Sequence, residues 1–370
     1  MHVTSVQTSN YYLNNLARFT PPEDVRLFAV TLAGAGAFCA ELEAMGVPCW
    51  ALNAPNRASY PRVILRLAQI LRREAIDILH LHLFEPTLLG LFAAALVGRP
   101  TIVTRHHSDA IHRLPAGPRK AAYLALEGWI SRRARHIIAP SRRVREILTE
   151  VEGVSPAKVS VIPYGQTTDR FDRVRSEAPL AIRRELGAGK PYLVCVSRLH
   201  EEKGHPFLLE AFSRLRRDFP EATLDLVGTG PEQGSLTALI QRAGLGESVR
   251  LLGWRDDALR IMWSADLIVH PSLHEALPSA VIEAMMLGRP LVATDVSGVR
   301  DVLGDSEYGF IVPPADPEAL WRAMSAALSG LDEARQRAER GRVHVRVYMD
   351  AERVAREYVA RYQSVAAEPR

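Results

Sequence analysis

The run His274-Glu275-Ala276-Leu277-Pro278-Ser279-Ala280-Val281-Ile282-Glu283-Ala284-Met285 concentrates residues able to do chemistry. Proline suits the first position of a helix, where its missing N–H would have no partner. A helix opening at Pro278 aims the amides of Ser279 and Ala280 outward, and free amides at a helix start attract phosphate. Glu283 lies four residues after Ser279 and three after Ala280, on their face of the helix. Glu275 sits in the loop just before. Carboxylates repel phosphate but accept hydrogen bonds from hydroxyls, so the pattern suits a phosphate ester flanked by ribose and sugar hydroxyls. A helix cap beside a solvated glutamate is the plainer reading. The apolar setting of Val281, Ile282, Met285 and Met286 argues against free solvation.

A second group, Ser197-Arg198-Leu199-His200-Glu201-Glu202-Lys203-Gly204, places two cations between a strand and the next helix. A guanidinium fork and an ammonium point charge together suit phosphate oxygens. Taken with the helix start at Pro278, Arg198 and Lys203 read as a pyrophosphate clamp. Val227-Gly228-Thr229-Gly230-Pro231-Glu232-Gln233-Gly234 looks superficially like a dinucleotide fingerprint. Its glycine spacing is off by one, and the next strand ends without an acid, so it reads as a tight strand-to-helix turn lining the site. His80 and His82 share a strand face at a metal-like spacing, but no further ligands accompany them, so a structural role is expected and no metal site is assigned.

Short apolar runs alternating with helical patterns must position these residues. Strands are expected near 3–7, 26–30, 48–52, 77–81, 101–105, 136–139 and 159–162, then near 192–197, 223–227, 249–252, 267–270 and 291–294. Helices are expected near 37–45, 59–74, 118–132, 205–218, 231–243, 278–287, 317–328 and 349–363. Such alternation implies parallel sheets covered by helices. Periodicity breaks at 165–180. The expected organisation is a first Rossmann-like domain over 1–170, a second over 171–345, and a helix over 346–370 packing back on the first. Ligands of such sheets bind beyond the carboxyl ends of the strands, here in a cleft between facing domains.

The chain has 370 residues, 47% hydrophobic and 24% charged, which excludes collagen-like, disordered and disulfide-scaffold classes. The apolar run Thr87–Gly98 is shorter than the ~20 residues that span a bilayer, and the start of the sequence does not read as a signal peptide. Three cysteines without metal or redox spacing are expected as small core thiols in a cytoplasmic protein. Net charge is +4, but residues 1–175 carry 22 Lys/Arg against 14 Asp/Glu. The excess lies between Arg113 and Arg145, opposed by Glu127 alone, and suits either a solvated helix face or an anionic partner such as a membrane surface. No nucleic-acid-binding signature accompanies it.

The ordered set Arg198-x4-Lys203-Gly204, Val227-Gly228-x-Gly230-Pro231, Leu252-Gly253, Glu275-x7-Glu283-Ala284-Met285 and Gly288-x-Pro290 resembles retaining glycosyltransferases of family 4, with the GT-B fold. The resemblance spans nearly the whole second domain. It implies two Rossmann-like, doubly wound α/β domains facing across a cleft. The second would bind a nucleotide sugar, UDP- or GDP-linked, without further cofactor. Arg198 and Lys203 would hold the diphosphate, Glu283 the ribose and Glu275 the sugar hydroxyls. Gly228, Leu277, Pro278 and Ser279 would line the site, and the backbone of Gly253, Trp254 and Arg255 would face the base. In the first domain, Thr104-Arg105-His106-His107 resembles the strand end whose histidine contacts the donor sugar; His106 matches best, with His107 beside it on the acceptor side. The family's glycine pair after the first strand is replaced by Gln7-Thr8-Ser9-Asn10-Tyr11-Tyr12-Leu13, where Ser9 and Asn10 would contact the acceptor through side chains.

The expected reaction is metal-independent retaining transfer to a hydroxyl acceptor (glycan, polysaccharide precursor or lipid-linked), with His106, Arg198, Lys203 and Glu275 at the reacting centre. Asp-x-Asp pairs are absent. Asp109, the carboxylate nearest the His106 strand end, is a poor nucleophile candidate. Competing readings are a GT-B-like nucleotide-sugar epimerase or phosphorylase, and a non-catalytic sugar-binding protein. The basic stretch 113–145 suggests peripheral contact at the inner face of a membrane.

Overall fold

The computed structural model describes residues 1–54, 56–106 and 116–368. His107, Asp109 and Arg113 lie outside them. The chain divides into two compact units, one formed by Met1–Thr167 with Met349–Arg370 and the other by Thr168–Tyr348.

Among the described residues, the first unit holds seven strands: β1 (His2–Thr4), β2 (Ala29–Thr31), β3 (Cys49–Ala51), β4 (Leu79–His82), β5 (Thr101–Thr104), β6 (His136–Ala139) and β7 (Val159–Val161). Their order is β3-β2-β1-β4-β5-β6-β7, with parallel pairing throughout. The second unit holds β8 (Tyr192–Val196), β9 (Thr223–Val227), β10 (Val249–Gly253), β11 (Leu267–His270), β12 (Leu291–Thr294) and β13 (Phe310–Val312). Their order is β10-β9-β8-β11-β12-β13, again parallel. Both sheets are doubly wound, and in both the winding reverses beside the first strand: between β1 and β4, and between β8 and β11. In doubly wound sheets, loops leaving the strands on either side of such a reversal part at their carboxyl ends, where ligands bind.

The helix Ala351–Ala367 belongs to the first unit. Its apolar stripe of Val354, Tyr358, Val359 and Tyr362 is buried. The Tyr12 hydroxyl donates to that of Tyr358 at 2.7 Å. The core of the second unit is built from β8, β9, β11 and the helices His205–Asp218 and Pro317–Ser329, with Phe212, Leu215 and Met324 fully buried.

Several expectations require correction. Tyr11–Phe19 is a helix that is absent from the expected set; the Asn10 side chain accepts from the Leu13 amide and caps it. Pro278 is the cap and Ser279–Leu287 the helix, one residue later than expected. The three-residue strand β13 and the helix Leu331–Tyr348 were not foreseen. Cys39 and Cys49 are joined by a disulfide, with 5.3 Å between their Cα atoms. The expectation of three free thiols therefore fails for this pair, and with it the argument from cysteines to a reducing compartment. Cys195 remains a thiol, its pKa pushed up to about 12 by burial. Among the described residues, no helix is long and apolar enough to cross a membrane.

Candidate functional site

In the second unit, the loops after β8 and β11 are joined by backbone before any side chain is considered. The Leu273 amide donates to the Glu202 carbonyl at 2.8 Å. Gly204, at φ +65°, packs so closely that a Cβ there would lie 2.1 Å from the Pro271 carbonyl oxygen. Only glycine fits both the conformation and the space. That contact holds Lys203 against the loop carrying Glu275. Lys203 Nζ donates to Glu275 Oε1 at 2.5 Å, and Ser272 Oγ donates to the same oxygen at 2.9 Å. His270 Nε2 lies 3.2 Å from it. Among the described residues, all of these contacts converge on Oε1, which leaves Oε2 as the oxygen placed to accept from a ligand hydroxyl. Burial alone would push the Glu275 carboxyl up, but His270 and Lys203 outweigh it and hold the pKa at about 2.

The helix Ser279–Leu287 follows directly, and no side chain caps its first turn. Its Glu283 is paired with Arg170 Nη2 at 3.2 Å. Burial raises the Glu283 pKa, and Arg170 opposes that shift. Arg170, His270 and Ser272 were missed by sequence reasoning. Arg170 lies in a helix, Asp169–Arg175, hidden inside the polar stretch read as a linker. His270 and Ser272 flank the quoted motif, where the strand-end signal could have found them.

The other second-unit candidates sit at strand ends but are not all drawn to this pair. Arg198 is exposed and bonded to Glu202 at 3.2 Å, not to the Lys203–Glu275 pair. Gly228 (φ +137°) presses on the Ser197 carbonyl, where a Cβ would come within 2.0 Å, and its amide donates to the Gly253 carbonyl at 2.8 Å. Trp254 is 75% exposed, its indole N–H donating to Asp256 at 2.9 Å. Arg255 is forked onto Asp257 through two 2.7 Å bonds. Leu277 and Pro278 are buried beneath the helix start, whereas Ser279 is exposed.

In the first unit, Ser9 Oγ donates to Glu41 at 2.8 Å and the Asn10 oxygen caps its helix, so the Ser9 hydroxyl and the Asn10 carbonyl, both expected to reach an acceptor, have partners in the protein. His106 is half-buried just beyond β5. It is not isolated: its Nε2 lies 3.0 Å from His82 Nδ1, and its Nδ1 lies 2.8 Å from the Tyr164 hydroxyl. Register explains the grouping. His2 pairs with His80 across β1 and β4, and His82 is two residues further on the same face. Ring nitrogens of His2, His80 and His82 come within 4.8 Å of one another, so the third member that the sequence did not supply for a metal-like cluster is His2. Burial lowers the pKa of all three, to about 3 for His2. Next to His106, the guanidinium of Arg105 is buried between Glu127 and Glu152, each at 3.1 Å. Glu127, the one acid set against the basic stretch, is thus committed inward.

These contacts set the sign of an acid effect. Glu275 has an ordinary pKa of 4.5 and a folded value of about 2. Its contribution to stability is complete above pH 4.5 and is lost as pH falls toward 2, because there the unfolded chain binds a proton that the folded chain does not. Urea unfolding from pH 5 to pH 2 should show a shallower decline for Glu275→Gln than for the wild type.

Comparison with known proteins adds to this geometry. Residues 9–170 match the family described as Glycosyltransferase Family 4, and residues 181–344 that described as Glycosyl transferases group 1. The chain is 28% identical over 266 residues to the Escherichia coli UDP-Gal:alpha-D-GlcNAc-diphosphoundecaprenol alpha-1,3-galactosyltransferase, covering 70% of this chain and 68% of that one. It is 27% identical over 285 residues to the 2-deoxystreptamine glucosyltransferase of Streptomyces kanamyceticus, covering 74% and 73%. In fold it is similar to Anabaena HepE crystallised with UDP-glucose, with a TM-score of 0.83 at 21% identity over 98% of this chain and 99% of that one. It is also similar to WaaG, a glycosyltransferase of lipopolysaccharide biosynthesis, with a TM-score of 0.74 at 16% identity over 97% and 98%.

Proposed function

Since this chain belongs to the family 4 glycosyltransferases of the GT-B fold, we propose that it transfers a sugar from a UDP- or GDP-linked donor to a hydroxyl acceptor, with retention and without a metal cofactor. The observation that carries the reading is the half-buried Lys203–Glu275 pair in the loops after β8 and β11, beside an uncapped helix start. The ammonium and the amides of Ser279 and Ala280 meet the diphosphate, and Arg198 swings from Glu202 to join them. Glu275, its Oε1 held by Lys203 and Ser272, offers Oε2 to a sugar hydroxyl. Glu283 accepts from the ribose. Gly228, Gly253, Trp254, Arg255, Leu277 and Pro278 form the walls, and His106 is assigned to the donor sugar by its resemblance to the family's histidine.

In the reaction, the bond from the anomeric carbon to the leaving phosphate breaks as the acceptor oxygen attacks the same face. The acceptor's proton passes to the departing phosphate oxygen. The protein orients the reactants and stabilises the growing negative charge through Lys203, Arg198 and the helix amides. The lack of an Asp-x-Asp pair supports charge stabilisation by these groups without a metal.

Calorimetric titration with UDP, GDP and ADP tests the donor class. Glu283→Ala should weaken nucleotide binding about tenfold through the lost ribose bonds. Lys203→Ala should lower kcat by a factor of about 100 or more. Wild-type behaviour in both variants would sink the assignment. Release of epimerised sugar from donor alone would favour the epimerase, and binding without turnover over any acceptor would favour a sugar-binding protein.

The proposal includes a lipid-linked acceptor reached at the inner face of a membrane. The E. coli relative is named for an acceptor carried on diphosphoundecaprenol. In this chain, an open groove of about 520 Å³ is lined by Phe92, Trp129, Arg132, Arg133, Arg135 and Lys158, among others. Apolar rings beside guanidinium groups suit an anionic bilayer surface. Vesicles containing phosphatidylglycerol should float the protein at low salt and release it at high salt. Arg132→Glu with Arg133→Glu should abolish flotation, and binding indifferent to salt or to those changes would refute the membrane contact.

A further inference from the structure

The histidines of β1, β4 and the end of β5 are joined end to end. From the outer end, the Tyr164 hydroxyl meets His106 Nδ1 at 2.8 Å, and His106 Nε2 meets His82 Nδ1 at 3.0 Å. His82 Nε2 then meets His2 Nδ1 at 2.9 Å. His2 Nε2 lies 3.3 Å from the Tyr362 hydroxyl, which lies 2.8 Å from His80 Nδ1. His80 Nε2 closes on Thr104 Oγ1 at 2.6 Å. His2, His80 and His82 are nearly sealed from solvent, at 6%, 1% and 2% exposure, and burial keeps them neutral.

A neutral imidazole has one N–H and one lone pair. Each contact needs one donor and one acceptor, so fixing any link fixes the next. If Tyr164 donates inward, His106, His82, His2 and His80 all carry their proton on Nε2, and Thr104 accepts. If Thr104 donates, all four carry it on Nδ1, and Tyr164 accepts. The mixed alternative has Tyr362 accept from both His2 Nε2 and His80 Nδ1, which leaves its own buried proton without a partner in the chain of contacts and is therefore disfavoured.

We propose that this chain is a single polarised relay, in which His82, His2, Tyr362 and His80 are positioning residues that set the tautomer and ring orientation of His106. The relay gives a specific role to residues that contact no donor. It also accounts for the clustered histidines without a metal, because every ring nitrogen within the cluster is already used in a hydrogen bond. The functional consequence rests on the reading that His106 meets the donor sugar.

The test is long-range proton–nitrogen correlation NMR on the full chain labelled with ¹⁵N-histidine, the four rings being assigned by single substitutions. The expected result at pH 7 is one tautomer shared by His2, His80, His82 and His106. Mixed tautomers, or a charged ring among the four, would overturn the relay. So would one zinc per chain by mass spectrometry with the ring nitrogens shifted to metal-bound values. Tyr362→Phe cuts the link between His2 and His80. It should leave His106 with mixed tautomers and lower kcat about tenfold, with the donor KM retained. A folded Tyr362→Phe protein with a uniform tautomer and unchanged kcat would also overturn it. Should His106→Ala transfer sugar at the wild-type rate while the four tautomers agree, the relay stands and the placement of His106 at the donor falls.

Discussion

The second unit depends on one short ion pair. Lys203 and Glu275 come from loops 72 residues apart in sequence, and their side chains are 12% and 13% exposed. An isolated charge at such depth would be costly. The pair is tolerated because Ser272 and His270 complete the carboxylate's surroundings and because backbone contacts at Gly204 and Leu273 fix the loops beforehand. The carboxylate orients the ammonium, and the ammonium keeps the carboxylate ionised. On the reading proposed above, a diphosphate entering beside them meets a cation already in place, so little reorganisation is required at the moment of reaction.

The first unit solves a related problem without net charge. Its central strands β1 and β4 bring three imidazoles to one buried face, which the helix Ala351–Ala367 supplements with the phenol of Tyr362. Polar groups at such depth must be paired, and here they pair with one another. One sheet is thus organised around a salt bridge and the other around neutral rings, although both use the same strand order at the reversal of winding.

What could be read from the sequence followed from local chemistry. Strands such as His136–Ala139 and Leu267–His270 were legible because apolar β-branched runs end at turn residues. The Lys203–Glu275 partnership was half legible. Each residue stood in a motif at a strand end, but the sequence offered Arg198 as the partner of Lys203, whereas the structure gives it Glu275. Arg170 was invisible because its partner Glu283 is 113 residues away and the segment around it looks like a linker. His2 was invisible for a similar reason: only the strand register places it against His80. The Cys39–Cys49 bond escaped because an odd cysteine count was read as a set of free thiols. Local pattern reveals elements and loop chemistry, whereas long-range pairing depends on register and topology.

The second unit is inserted in the sequence of the first, which resumes with Met349–Arg370. During synthesis, residues 168–348 have left the ribosome and can collapse around their own core while the seven-stranded sheet still lacks the helix that buries Tyr358 and Tyr362 against it. The histidine face therefore stays open to water until residues 349–370 have been made, and its imidazoles exchange hydration for one another only when that helix docks.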